Sequence, residues 1–75
     1  DPILIYPNPA QRDLHIEVNE NLLKSKFRIT NSIGKLIYSD VITSTSMALD
    51  ISTYAPGVYI LAIGKKSTRS FLVID

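Results

Sequence analysis

Two prolines one residue apart, Pro7 and Pro9, close a short apolar run, Ile3-Leu4-Ile5-Tyr6, and constrain this chain more than any other feature. Neither proline has a backbone N–H, so neither can continue a central sheet ladder. Each also pushes the residue before it, Tyr6 and Asn8, toward extended backbone. The Asn8 side chain can close the bend by bonding to nearby backbone. The expected product is a rigid strand-to-turn corner, with no catalytic group in it.

The rest of the chain repeats a period of two, which argues for strands. Leu14-His15-Ile16-Glu17-Val18 alternates, with His15 and Glu17 outward. Phe27 to Thr30 alternates with Arg28 outward, and Asn31-Ser32-Ile33-Gly34 is a turn with Gly34 in its last position. Lys35 to Ile42 forms the next strand, and Met47, Leu49 and Ile51 share one face of the fifth. Ala55-Pro56-Gly57 predicts a type II turn with Gly57 at positive φ. Val58 to Ile63, the most apolar stretch, is expected to be a central strand buried on both sides, and Arg69 to Ile74 the last strand. Glu20 to Lys26 could make two helical turns, too few to stand alone, and reads as loop or edge. This spacing predicts an all-β fold, a seven-stranded antiparallel immunoglobulin-like β-sandwich. Its core is expected to include Ile16, Ile29, Leu49, Ile51, Val58 and Ile60, with antiparallel pairing only.

Seventy-five residues make one domain, residues 1–75. A domain of that size buries only about 60–65% of the surface of its unfolded chain. No cysteine is present to staple it, so aliphatic and aromatic side chains must hold it. A net charge of +1 is too balanced for a nucleic-acid binder. The apolar runs are strand-length, far short of the roughly 20 residues of a membrane-spanning helix. With no initiator Met and no signal-peptide pattern, the chain reads as a piece of a longer protein.

Chemistry is sparse. His15 is the sole histidine, with no nucleophile elbow and no Cys or second His for zinc. Asp13, Asp40 and Asp50 are dispersed, as turn-forming carboxylates are, and lack the clustering of a calcium loop. Gly34, Gly57 and Gly64 sit between strands, not in a phosphate-binding loop. These residues point to no enzyme and no cofactor. Tyr6, Tyr38, Tyr54 and Tyr59 could stack on sugars if exposed in a line, but buried tyrosines bonded to backbone are common in sandwiches. Lys65, Lys66 and Arg69 form the one local charge cluster. Lysines there can simply keep an edge hairpin unpaired. Phe71 and Val73 lie in a strand that is ordinarily core but could recruit a partner by strand addition.

Three segments in order carry a family resemblance: Tyr6-Pro7-Asn8-Pro9 with its strand, Phe27 to Ile37 with Gly34 at its turn, and Asp50-Ile51-Ser52 leading into Pro56-Gly57-Val58-Tyr59. Together they resemble the C-terminal sorting domain of proteins exported by the bacterial type IX (Por) secretion system. The resemblance covers nearly the whole chain. It implies a secretion signal, not a catalyst. Such a domain follows its cargo, passes through the periplasm and is recognised by translocon components at the outer membrane. A sortase-like peptidase then removes it, leaving the cargo on the cell surface or secreted. It also makes Lys65, Lys66, Arg69, Phe71 and Val73 candidates for translocon recognition. One departure stands out. Family members commonly finish with a basic residue, whereas this sequence finishes Leu72-Val73-Ile74-Asp75. The alternative reading is an accessory sandwich, a carbohydrate-binding or spacer module of a secreted enzyme.

Overall fold

The computed structural model describes residues 3–65 and 67–74. Among them seven strands run in order: β1 (Leu4–Tyr6), β2 (Asp13–Glu17), β3 (Lys26–Asn31), β4 (Leu36–Val41), β5 (Ser46–Asp50), β6 (Gly57–Ile63) and β7 (Ser67–Val73). A single 3₁₀ turn, Glu20–Leu22, occupies the segment between β2 and β3. The strands form two sheets, β1-β2-β5 and β4-β3-β6-β7. Every strand pair is antiparallel, giving the immunoglobulin-like sandwich that the sequence predicts. One contact departs from that expectation: Ala10 makes an isolated parallel bridge to Val73.

The core lies between the sheets. Leu14 and Ile16 of β2, Phe27 and Ile29 of β3, Leu61 and Ile63 of β6, and Phe71 and Val73 of β7 are all buried. Ile42 and Ile51 close it from just beyond β4 and β5. Met47 and Leu49 pair with Ile16 and Leu14 and are half-buried against this cluster, on the shared face that their spacing predicts. The cluster also takes in Ile3 and Ala10, at the two ends of the proline corner.

Two expected core residues are on the wrong side. Val58 and Ile60 are 49% and 40% exposed, whereas Tyr59, Leu61 and Ile63 point inward. β6 is interior in its hydrogen bonding, flanked by β3 and β7, yet only one of its faces is covered. The run Gly57 to Ile63 is apolar at nearly every position, so it carries no period of its own to choose a face. Register chooses it instead. Leu61 pairs with Ile29 and Ile63 with Phe27, and both partners face the other sheet. A two-layer domain covers one face of each sheet, so Val58 and Ile60 are left outside.

The turn before β6 also differs. Gly57 has a positive φ, as expected, but at 152° and not near the +80° that a type II turn requires at its third position. The reason is pairing: Gly57 is already the first residue of β6, opposite Val73, and its backbone is stretched to meet that strand. At the β3–β4 turn the expectation holds. The Gly34 amide donates to the Asn31 carbonyl oxygen at 3.0 Å, with Gly34 at φ 85°. The Asn31 Oδ1 secures the same turn by accepting from the Ile33 and Lys35 amides at 3.1 and 2.9 Å.

Candidate functional site: the sealed last strand and the open sheet faces

The proline corner does not close on itself. Both Tyr6-Pro7 and Asn8-Pro9 are cis peptides. The Asn8 side chain reaches across the fold, where its Oδ1 accepts the Leu72 amide at 3.0 Å. The Ala10 amide donates to the Leu72 carbonyl oxygen at 2.7 Å, and the Ile74 amide to the Ala10 carbonyl oxygen at 2.9 Å. The expected local bond of Asn8 is thus replaced by one to the last strand, 64 residues away. In β7 the backbone groups of alternate residues point away from β6. The Leu72 pair is taken by Asn8 and Ala10. The Thr68 carbonyl oxygen accepts Arg69 Nη1 at 2.8 Å. Among the described residues, the open stretch of this edge is therefore centred on Ser70.

This arrangement sorts the candidate recognition residues. Phe71 and Val73 are each 2% exposed and sit opposite Tyr59 and Gly57, so their side chains are withdrawn from any partner of the folded domain. Strand addition along the second half of β7 is blocked by the corner that already pairs there. Arg69 is exposed and folds its guanidinium back onto its own strand edge. Lys65 is exposed in the short loop joining Ile63 to Ser67, which pair across the hairpin. Lys66 lies outside the described residues, as does Asp75.

Tyr59 ties the Pro56-Gly57 segment to the core. Its hydroxyl donates to the Ala55 carbonyl oxygen at 2.6 Å, and its ring stacks on Phe71 at 5.7 Å between centroids. Tyr54 tilts against it at 5.3 Å, and partial burial raises the Tyr54 phenol above its ordinary range. Tyr6 stacks on His15 outside the three-stranded sheet, and its hydroxyl donates to Glu17, which raises its pKa. Tyr38 lies against Phe27 at the far edge of the other sheet. The four tyrosines do not form a line on one sheet, which is what a sugar platform would need.

His15 is held by that Tyr6 stack, at the side of an open groove of about 500 Å³. Pro7, Pro9, Arg12, Asp13 and Ile74 also line it, and no hydroxyl or thiol nucleophile does. Among the described residues no group of three or more His, Cys, Asp or Glu side chains is gathered to hold a metal. Asp50 works as turn chemistry: its Oδ1 accepts the Ser52 amide at 2.9 Å, and hydrogen bonding from Ser52 holds its carboxyl below its ordinary pKa.

The two outer faces of the sandwich differ in charge. Strand alternation places Asp13, Glu17 and Asp50 outward on the three-stranded sheet. On the four-stranded sheet it places Lys26 and Arg28 outward, opposite Val41, Ser39 and Ala62. Val58, Ile60 and Leu72 share that face. Sequence alternation alone puts Arg28 outward. The two exposed β6 residues could not be found that way, for want of any polar marker in their run.

Comparison with known proteins agrees with this geometry. A family model described as a secretion system C-terminal sorting domain matches residues 4–74. Beta-agarase A of Zobellia galactanivorans is 27% identical over 73 residues, covering 92% of this chain and 14% of that protein. A structure of PorZ, an essential surface component of the type IX secretion system of Porphyromonas gingivalis, superposes with a TM-score of 0.77 at 22% identity. The match covers 97% of this chain and 11% of PorZ, and at that identity it establishes the shared fold. A match over residues 4–74 takes in the proline corner, the Asn31–Gly34 turn and the Pro56-Gly57-Val58-Tyr59 segment alike, and the chain belongs to the secretion system C-terminal sorting domain family.

Proposed function

We propose that this domain is the address label of a larger cargo protein, carried at the cargo's C-terminal side and read by the type IX translocon. The observation that carries the reading is the family match over residues 4–74. It falls on a sandwich whose family-defining segments are spent on structure. Pro7 to Pro9 seal β7, Gly34 turns β3 into β4, and Tyr59 anchors the entry to β6. A compact module of this kind folds independently of its cargo and presents the same surface whatever precedes it. Membership in a sorting-signal family, which is not a catalytic family, supports reading the chain as an export signal bound for the cell surface or the medium. In the proposed sequence of events the cargo crosses into the periplasm, the domain engages the translocon at the outer membrane, and a sortase-like peptidase then releases it. Lys65, Lys66 and Arg69 are proposed to contribute to that engagement. Phe71 and Val73 contribute by holding β7 in place.

The test is a reporter carrying this domain at its C-terminal side, expressed in a host with a working type IX system. Surface protease accessibility of the reporter is the readout. The domain should move the reporter to the surface, and a host lacking the translocon should hold it in the periplasm. A reporter that stays periplasmic in the competent host would sink the reading. The combined Lys65→Ala, Lys66→Ala and Arg69→Ala variant should fold as wild type: Lys65 and Arg69 are exposed, and such substitutions usually cost within about 0.5 kcal/mol each. If it is exported as well as wild type, the hairpin cations have no part in recognition.

A further inference from the structure

The outer face of the four-stranded sheet, among the described residues, is a basic and apolar surface. Lys26 and Arg28 stand there with Val41, Ser39 and Ala62 as cross-strand neighbours, and among the described residues strand alternation puts no carboxylate on the face. Lys65 joins them along a groove of about 460 Å³. Beside the cations lies an apolar strip. Val58 and Leu72 are direct cross-strand partners, Ile60 follows on the same side, and all three are more than one-third exposed. Unpaired cations keep their full attraction for an outside anion, and large apolar side chains left in water gain from being covered.

We infer that this face docks a protein surface that offers carboxylates beside an apolar patch. The inference rests on the sorting reading and says where the domain is read. The alternatives fit less well. A membrane surface rewards interfacial Trp and Tyr and a larger basic cluster, at about 1 kcal/mol per cation near anionic lipid. Among the described residues this face presents three cations, and Tyr38 and Tyr59 both belong to the opposite side of the sheet. On a second copy, the face that gathers several acids among the described residues is the outer face of the three-stranded sheet. There Glu17 already accepts from Tyr6 and Asp50 from Ser52, leaving Asp13 as the one uncommitted acid of the three.

The test uses the same reporter fusion. Lys26→Gln with Arg28→Gln removes two positive charges from the docking face. Ser46→Glu with Ala48→Glu shifts the net charge equally on the other face. The first pair should melt at the wild-type temperature and cut surface delivery by about tenfold, as losing interfacial charge pairs does. The second pair should be delivered like wild type. Should the first pair melt early, Lys65→Glu, in the hairpin loop, carries the same test. A photo-crosslinking residue at position 60 should form an adduct with a host protein, lost with Lys26→Gln and Arg28→Gln, and one at position 48 should form none. Normal delivery of the folded first pair would overturn the inference, as would an adduct at position 60 with lipid or with a second copy. If the unaltered fusion is never delivered, it is the sorting reading that falls. The docking face then falls too only if position 60 yields no protein adduct.

Discussion

At one edge of the four-stranded sheet, β7 buries Phe71 and Val73, and its outward backbone at Leu72 is bonded by Asn8 and Ala10. At the other edge, all six residues of β4 are exposed, including Leu36 at 53% and Tyr38 at 39%, and among the described residues β3 alone pairs with it. The sequence leaves the ranking open: Phe71-Leu72-Val73-Ile74 is ordinarily a core strand but could also recruit a partner, and Lys35 to Ile42 reads as the next strand. The difference shows what the proline corner does. It is a clamp that sets Asn8 and Ala10 against the last strand, so the edge that carries Phe71 and Val73 is closed from within the chain. β4 has no such cover, and the register shift where it passes Ile29 and Thr30 of β3 is the feature that interrupts a regular ladder there.

The comparison can be broken most directly by truncating one ring on each edge. Phe71→Ala should cost about 3–5 kcal/mol, the range for emptying a packed aromatic site. In a domain this small that approaches the whole stability. Tyr38→Ala on β4 should cost far less, because its ring is partly in water and leaves no closed cavity. Denaturant melts of both variants decide the matter, and similar midpoints would mean that β4 is not the looser edge.

Gly57→Val tests the entry to the strand that β7 packs against. Beyond Gly57 itself and its two chain neighbours, no heavy atom lies within 4 Å of where its Cβ would go, so backbone strain at φ 152° is the expected penalty. It should exceed about 1 kcal/mol. A melt within error of wild type would show that the backbone there relaxes freely.

Asn8→Ala removes a single hydrogen bond from the clamp. The expected loss is about 0.5–1.5 kcal/mol. Its sharper readout is hydrogen exchange: the Leu72 amide should lose protection while the Leu61 amide, in mid-sheet, keeps it. Equal protection at Leu72 before and after the change would mean that Ala10 alone holds the edge.

The smallest effect belongs to β4. The Tyr38 hydroxyl donates to Asp40 Oδ2 at 3.0 Å, and this bond raises the phenol's pKa above 10.0. A raised folded pKa means the contribution is complete below pH 10 and is lost as pH climbs through the folded value. Asp40→Asn should return the Tyr38 titration toward its ordinary range in an ultraviolet absorbance titration, with little change in melting temperature because both groups are solvent-exposed. A large fall in melting temperature at neutral pH would show that β4 is held more tightly than its exposure implies.

Period-two alternation in β2 and β3 was enough to identify Ile16 and Ile29 as core and Arg28 as outward, because polar and apolar residues mark the two faces there. The order of the proline corner, the Gly34 turn and the Pro56-Gly57-Val58-Tyr59 segment was enough to indicate the family. The turn at Asn31–Gly34 was also local: its side-chain and backbone bonds lie within five residues. Other features depended on contacts between distant segments. The inward face of β6 follows from its register against β3, since a wholly apolar run has no phase. The role of Asn8 follows from the closure of the sandwich, which sets it beside Leu72. The charge difference between the outer faces exists only once β2 and β5 pair in one sheet and β3 and β6 in the other. A sequence states which side chains alternate; long-range pairing decides which alternating set is covered, and so which residues a partner can reach.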